Sequence, residues 1–297
     1  MDIDLNASKN TDMAEKLAKL PVSDSGKLYK IKSGNIGNCA KKLIAEYKKQ
    51  YALSMDGGEL SLSGEIFVNE FYAVEKQIKL TFAAFEHIRI RSIPRLKYGE
   101  KTGQPRVYVL SDEYIRLNEG VLNVNSITEF FETYQCGHPL LIREIGMLKD
   151  MLRFSLLSYM NECILKIRDD AVLAEKLRNI LSSFKKFDAL DMDAAIASLN
   201  TTDRILKNDE IYRAEDETSR RLYLNAAEKL SRRLHVNENT AAEAALRLAE
   251  KARGETSDEN KKEYDRRLHA AFYLIGEGVC ETVKFLRPDK RFYSIFS

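Results

Sequence analysis

Apolar residues in this chain recur at steps of three and four over long stretches, the period of helices that bury one face. Ile36, Cys39, Ala40, Leu43, Tyr47 and Tyr51 form one such stripe. Phe67, Phe71, Val74, Ile78, Phe82, Phe85 and Ile88 form the clearest one, with Ser63 placed to cap it and Pro94 to end it. Its aromatic rings read as core, because burying each is worth about a few kcal/mol. The run from Pro139 to about Arg168 is the longest. Leu141, Ile145, Leu148, Leu152, Leu156, Tyr159, Cys163 and Ile167 give its main stripe. Ile142, Met151, Phe154, Leu157, Met160 and Ile164 widen it past half the circumference. A helix apolar on so much of its surface belongs at the centre of a bundle. Arg143, Glu144, Lys149, Asp150 and Arg153 keep it from being a membrane span.

The remaining elements are shorter. Asp12 to Leu20 reads as a short helix ended by Pro21, and the stretch after it, SDSGKLYKIKSGN, as loop. Pro105 opens a helix to about Asn118, although the alternation Val107-Tyr108-Val109-Leu110 also fits a strand. Ser126-Ile127-Thr128-Glu129 is a capping box that opens a helix through Tyr134. Further helices are expected at about Ala171–Phe187, Asp193–Lys207, Asp216–Leu234, Glu238–Arg253, Asp258–Ile275 and Val279–Leu286. The pattern predicts an all-α fold, an irregular bundle of about ten to twelve helices in two packed helical subdomains. Residues 1–35 read as a flexible N-terminal segment. Residues 36–187 read as a helical subdomain around the long helix 139–168, and residues 188–297 as a second one, the pattern restarting with Asp caps near 188–192. No fixed repeat of solenoid length runs through the chain.

Composition narrows the class. Only 14 Gly and 5 Pro among 297 residues fall well short of the roughly 12% expected of an average chain, which excludes a turn-rich β-sandwich or barrel. Lys+Arg total 47 against 45 Asp+Glu, and neither half departs from balance, so a nucleic-acid partner is not expected. The start, MDIDLNASKN, has no basic, apolar leader. Cys39, Cys136, Cys163 and Cys280 lie far apart, with no zinc spacing, and suit a reducing cytoplasm.

Motifs for chemistry are sparse. His87, His138, His235 and His269 are isolated, and no HExxH, GxSxG or GxGxxG occurs. Gly99-Glu100-Lys101-Thr102 has a trace of a phosphate loop, but Glu100 stands where that loop needs glycine. Asp191-Met192-Asp193 is a DxD pair, a metal–diphosphate motif when it ends a strand in an α/β sheet; between helices it reads as a cap. The residues by themselves indicate no catalytic, metal or cofactor site.

Several segments resemble the N-terminal region of bacterial cyclic β-1,2-glucan synthases. FVNEFYAVEKQI at 67–78 with IPRL at 93–96, GQPRVYVLSDEYI at 103–115 with ITEFFETYQ at 127–135, and PLLIREIGMLKDMLRFSLLSYM at 139–160 are similar to successive blocks of that family. IYRAEDETSRRLYLNAAEKLSRRLHVNE at 211–238 is similar to its strongest local signature through Tyr212, Asp216, Arg220 and Tyr223, with Ser219 where Thr is usual. HAAFYLIGEG at 269–278 matches through His269, Tyr273, Leu274, Ile275 and Gly278. Glu144-Ile145-Gly146 replaces a Glu-Leu-Trp triplet, and Glu215 replaces a common Met.

The resemblance covers roughly residues 36–286. It implies the helical N-terminal part of a large inner-membrane enzyme that builds β-1,2-linked glucan from UDP-glucose on itself as primer and then cyclises the chain. The expected role here is a non-catalytic module that packs on the transferase domain or holds nascent glucan. UDP-glucose and Mg²⁺ or Mn²⁺ are expected only in the full-length enzyme, and no cofactor in this chain. The implied partners are the transferase and membrane domains of the same polypeptide, and the glucan itself. The implied place is the cytoplasmic side of the inner membrane, attached through segments after RFYSIFS, with the chain alone soluble. On that reading the chain is a fragment, a dissected piece or a truncated gene product. The alternative is a free-standing helical interaction protein without activity. Tyr212, Asp216, Arg220, Tyr223, His269 and Tyr273 are the matched polar positions, read first as packing and hydrogen-bonding residues and second as a glucan or docking surface.

Overall fold

The computed structural model describes residues 2–23, 33–87, 93–97, 101–187, 190–255 and 265–287. Among them are fifteen α-helices, twelve of seven or more residues. The fold is all-α, as the periodicity predicts. Of the loop expected at 23–35, residues 24–32 lie outside the described residues, and Ser33, Gly34 and Asn35 are helical rather than loop. The end of the Phe67–Ile88 stripe, the Gly99-Glu100 pair and the start of the helix expected at Asp258 also lie outside the described residues. The chain divides into two compact units, Met1–Leu199 and Asn200–Ser297.

In the first unit, α1 (Asp2–Ala18) leads through β1 (Val22–Ser23) to α2 (Ser33–Met55), α3 (Leu62–Asn69) and α4 (Phe71–His87). After β2 (Arg95–Leu96) come α5 (Arg106–Leu117), α6 (Val124–Gln135), α7 (Ile142–Lys166), α8 (Asp170–Lys186) and α9 (Leu190–Ser198). The long helix α7 is central: it packs against α2, α4, α5, α8 and α9, and Leu148, Met151, Leu152, Leu156 and Met160 are fully buried. Its apolar girth is what permits contact on several sides. A single antiparallel pair, Val22 with Leu96 and Ser23 with Arg95, joins β1 to β2. The segment Val107–Leu110 is helical, with Val107, Val109 and Leu110 buried. Alternation at that point was the by-product of a helix buried on most sides.

Other boundaries also differ from the pattern. The N-terminal segment, expected to be flexible, contains a helix: α1 packs on α6, burying Ala14 and Leu17, while Asn10 bonds Asn118 and Ser126. The stripe through Phe67 and Phe71 is two helices broken at Glu70, because α3 docks on α8, where Asp170 accepts from the Leu62 and Ser63 amides. The cap of α6 is Asn123, which accepts from the Ser126 amide at 3.1 Å; Ser126 instead accepts from Asn10. The first unit runs past 188–192, since Met192, Ile196 and Leu199 join its core.

Two interior details fix α5. Its end turns through Glu119 and Gly120 at φ 52° and 80°. A Cβ on Gly120 would lie 2.6 Å from Ile180, so both its conformation and its room demand glycine. At its start, the buried Arg106 makes a forked pair with the buried Glu144, Nη2 to Oε2 at 2.6 Å, and donates to the Pro139 carbonyl at 2.7 Å. Burial would pull the Arg106 pKa down; the Glu144 charge overrides it and leaves it raised.

The second unit holds α10 (Thr201–Leu206), α11 (Glu210–Ala214), α12 (Glu217–Leu234), α13 (Glu238–Glu255), a 3₁₀ turn (Asp265–Leu268), α14 (Ala270–Leu274) and α15 (Val279–Leu286). The helices expected at 193–207 and 258–275 are each interrupted, by the Asn200 cap and at His269. The middle is α13, whose alanine face (Ala241, Ala242, Ala245, Ala249) is buried against α10, α12, α14 and α15. Small side chains let four helices approach one.

Candidate functional site

The site grows from one buried carboxylate. Asp209 is 1% exposed and precedes α11 as its cap, accepting from the Ile211 amide at 3.1 Å. Its other oxygen accepts from the Ala270 amide at 2.9 Å, which starts α14. Arg253, near the end of α13, donates to Asp209 at 2.8 Å and to the Leu268 carbonyl at 2.6 Å. One side chain thereby brackets three segments distant in sequence.

The turn between α11 and α12 is built by the matched residues. Asp216 caps α12, accepting from the Ser219 amide at 2.8 Å, and those bonds hold its carboxyl below the usual carboxylate range. Arg220 reaches back to the Glu215 carbonyl at 2.9 Å. Tyr212 donates to Asp203 at 2.6 Å and Tyr223 to Glu215 at 3.1 Å; the two rings lie 5.6 Å apart. Both phenols have raised pKa values. Burial is the first cause for each, followed by the carboxylate each one faces. At neutral pH both stay protonated donors.

These elements line an open surface pocket of about 350 Å³, within the size range of ligand sites. Asp209 and Tyr212 are buried and form its floor; Ile211, Arg266, Ile275 and Gly276 are exposed at its rim. Glu215, Tyr223, His269 and Phe272 line it between. Phe272 meets Tyr273 edge-on at 5.1 Å, and the ring packs onto Gly278, where a Cβ would stand 2.4 Å from it. That contact is a steric reason for glycine at a matched position.

Of the six matched polar residues, Tyr212, Tyr223 and His269 converge on this pocket. Asp216 and Arg220 set the turn beside it. Tyr273 is buried in the core, 2% exposed, and does not line the pocket. Asp209, Arg266 and Phe272 carried no signal of their own in the sequence beyond an Asp at a helix start; Glu215 stood out only as a departure from the resembled pattern.

Three polar groups of the pocket keep an unused donor or acceptor among the described residues. The Nδ1 of His269 is buried without a hydrogen-bond partner. Glu215 has its Oε1 taken by Tyr223 and its Oε2 facing no partner, and Arg266 makes no ion pair, among the described residues. Donor and acceptor are both present beside aromatic and aliphatic walls. An anion would meet Asp209 and Glu215, and a cation would meet Arg266. A neutral ring bearing hydroxyls satisfies both signs and lays its C–H face on the apolar wall.

The DxD pair lies elsewhere, in the first turn of α9. Asp193 pairs with Lys149 at 2.7 Å, and Asp191 is exposed. Among the described residues no three His, Cys, Asp or Glu side chains gather as a metal site, and no helix is long and apolar enough to cross a membrane. No protein family profile and no curated protein sequence matches the chain.

Proposed function

We propose that the chain is a non-catalytic helical module of a membrane-bound cyclic β-1,2-glucan synthase-like glucosyltransferase, and that its second unit holds the growing glucan. The observation that carries this reading is the convergence of Tyr212, Tyr223 and His269, from two blocks of the resemblance, on one pocket of mixed polarity with aromatic walls. Aromatic rings beside paired donors and acceptors suit a neutral sugar. The chemistry of transfer from UDP-glucose, with its metal ion, belongs on this reading to other domains of the same polypeptide, which also supply the membrane attachment.

Two experiments test it. Purified chain incubated with radiolabelled UDP-glucose and Mg²⁺ or Mn²⁺ should form no labelled glucan; product that disappears in an Asp191→Asn, Asp193→Asn double variant would refute the non-catalytic role. Linear β-1,2-glucan oligomers should bind the chain, and Tyr223→Ala should weaken that binding while the circular dichroism spectrum stays helical. The bases after codon 297 provide an independent check: an open frame encoding membrane helices and a transferase is the expected result.

A further inference from the structure

One end of the first unit is left apolar. The last turns of α2 and α7 and the first turns of α3 and α8 meet there. Asp170, which opens α8, accepts from the Leu62 and Ser63 amides of α3 at 2.9 and 3.2 Å. Gln50 of α2 reaches Gly64 of α3, where a Cβ would stand 3.0 Å from its Oε1. Of the nine large apolar side chains exposed in this unit, among the described residues, six belong to this end: Tyr51, Leu53, Met55, Leu62, Leu165 and Val172. The tip of α2 is the extreme case. Tyr51-Ala52-Leu53-Ser54-Met55 is exposed at all five positions and carries no charge, in a chain with 31% charged residues. Helical spacing puts Tyr51 and Met55 on one side of the tip and Leu53 on the other, and a helix apolar on opposite sides belongs under cover.

Area and charge indicate what covers it. Six side chains of roughly 200 Å² apiece, exposed by between 42% and 68%, present on the order of 500 Å² of apolar surface. A standard interface covers about 800 Å² on each partner, and homodimer interfaces are about 65% apolar. Each copy of a dimer therefore needs about 500 Å² of apolar surface, which this end supplies. The charges beside it have both signs. Arg168 follows α7, Asp56 and Glu59 follow α2, and none of the three makes an ion pair among the described residues. An anionic lipid surface selects a basic rim; a twofold partner selects a rim that complements itself. We propose that this end is a dimer interface, where two copies of the chain pack face to face about a twofold axis. The α2 tip of each copy lies on the starts of α3 and α8 of the other, and Arg168 of each meets Asp56 and Glu59 of the other. The interface uses the first unit alone and is independent of the sugar reading.

Sedimentation equilibrium of the full chain tests this. The chain should be dimeric at about 20 μM and dissociate on dilution, since interfaces of this size start at micromolar affinity. Met55→Glu and Leu62→Glu, on different helices, should each weaken the dimer at least about tenfold, a change of about 1.4 kcal/mol. Both side chains are exposed in the single copy, so the circular dichroism spectrum should stay helical, which separates lost association from lost folding. Arg168→Glu should weaken the dimer as well, and adding Asp56→Lys and Glu59→Lys should restore it. A chain that stays monomeric up to about 200 μM, or a dimer that withstands both Met55→Glu and Leu62→Glu, would overturn the proposal. Charge reversal that restores nothing would overturn the twofold pairing. A monomeric chain that instead cosediments with phosphatidylserine vesicles, and loses them on Met55→Glu, would assign the surface to a membrane.

Discussion

Replacing Asp209 with alanine should loosen the second unit at one identifiable place. The carboxylate accepts from the Ala270 and Ile211 amides and from Arg253. Ala270 is 1% exposed, so its amide has no water to turn to, and a buried donor left without a partner costs about 1–3 kcal/mol. The Ile211 amide adds up to a similar amount as the lost cap of α11, typically about 1 kcal/mol. The Arg253 side chain is 37% exposed, so its ion pair is discounted to about 0–1 kcal/mol. The expected loss is therefore about 2–5 kcal/mol, of which Asp209→Asn should recover part by keeping one acceptor. A global melt is a poor ruler for a chain of two units; amide hydrogen exchange at Ala270 reads the site directly. Exchange there should quicken by roughly thirtyfold or more in Asp209→Ala, with the α7 amides unchanged. Ala270 exchange within about threefold of the unaltered chain would refute the claim that this carboxylate holds α14 in place.

Three further outcomes are expected. Glu144→Ala should cost about 3–5 kcal/mol in denaturant melts by stranding the buried Arg106, whereas the Arg106→Met, Glu144→Leu pair should lose far less; equal losses would mean that the pair itself supplies the stability. Burial raises the Cys39 thiol from 9.0 to about 11, so the folded chain keeps its proton where the unfolded chain loses it. The associated stability is complete below pH 9 and lost as pH rises toward 11, and Cys39→Ala should flatten that alkaline slope in urea melts. Gly278→Ala should press on the Phe272 ring and destabilise by about 1–3 kcal/mol through overpacking; an unchanged melting temperature would show that the ring swings aside at no cost.

What could be read in advance follows from which forces are local. The centrality of α7 was visible because apolar residues around most of a helix admit one explanation. The break at Glu70 was not, since Phe67, Phe71 and Val74 stay in phase across it and the interruption comes from α8, a hundred residues onward. Ser126 looked like a cap because its type and spacing fit, but Asn10 competed for its hydroxyl. The pocket was visible only through its tyrosines and His269. Arg266 looks in sequence like any solvated charge, and Asp209 like any helix cap; their part in the site depends on segments that meet only after folding.

The seam between the units has a consequence for how such a chain can be rearranged in evolution. Leu199 is fully buried in the first core, and its carbonyl accepts from Gln135 at 3.0 Å; the next residue, Asn200, caps α10 of the second unit through the Asp203 amide. No spare residues separate the two jobs. A recombination event that falls between these codons delivers two whole inheritances. One that falls a dozen codons earlier, at the restart suggested by the Asp-rich pattern, strips Met192, Ile196 and Leu199 from the first unit and fastens a useless greasy helix to the second. Gene fusions and losses that survive in relatives of this chain should therefore crowd onto a single bond.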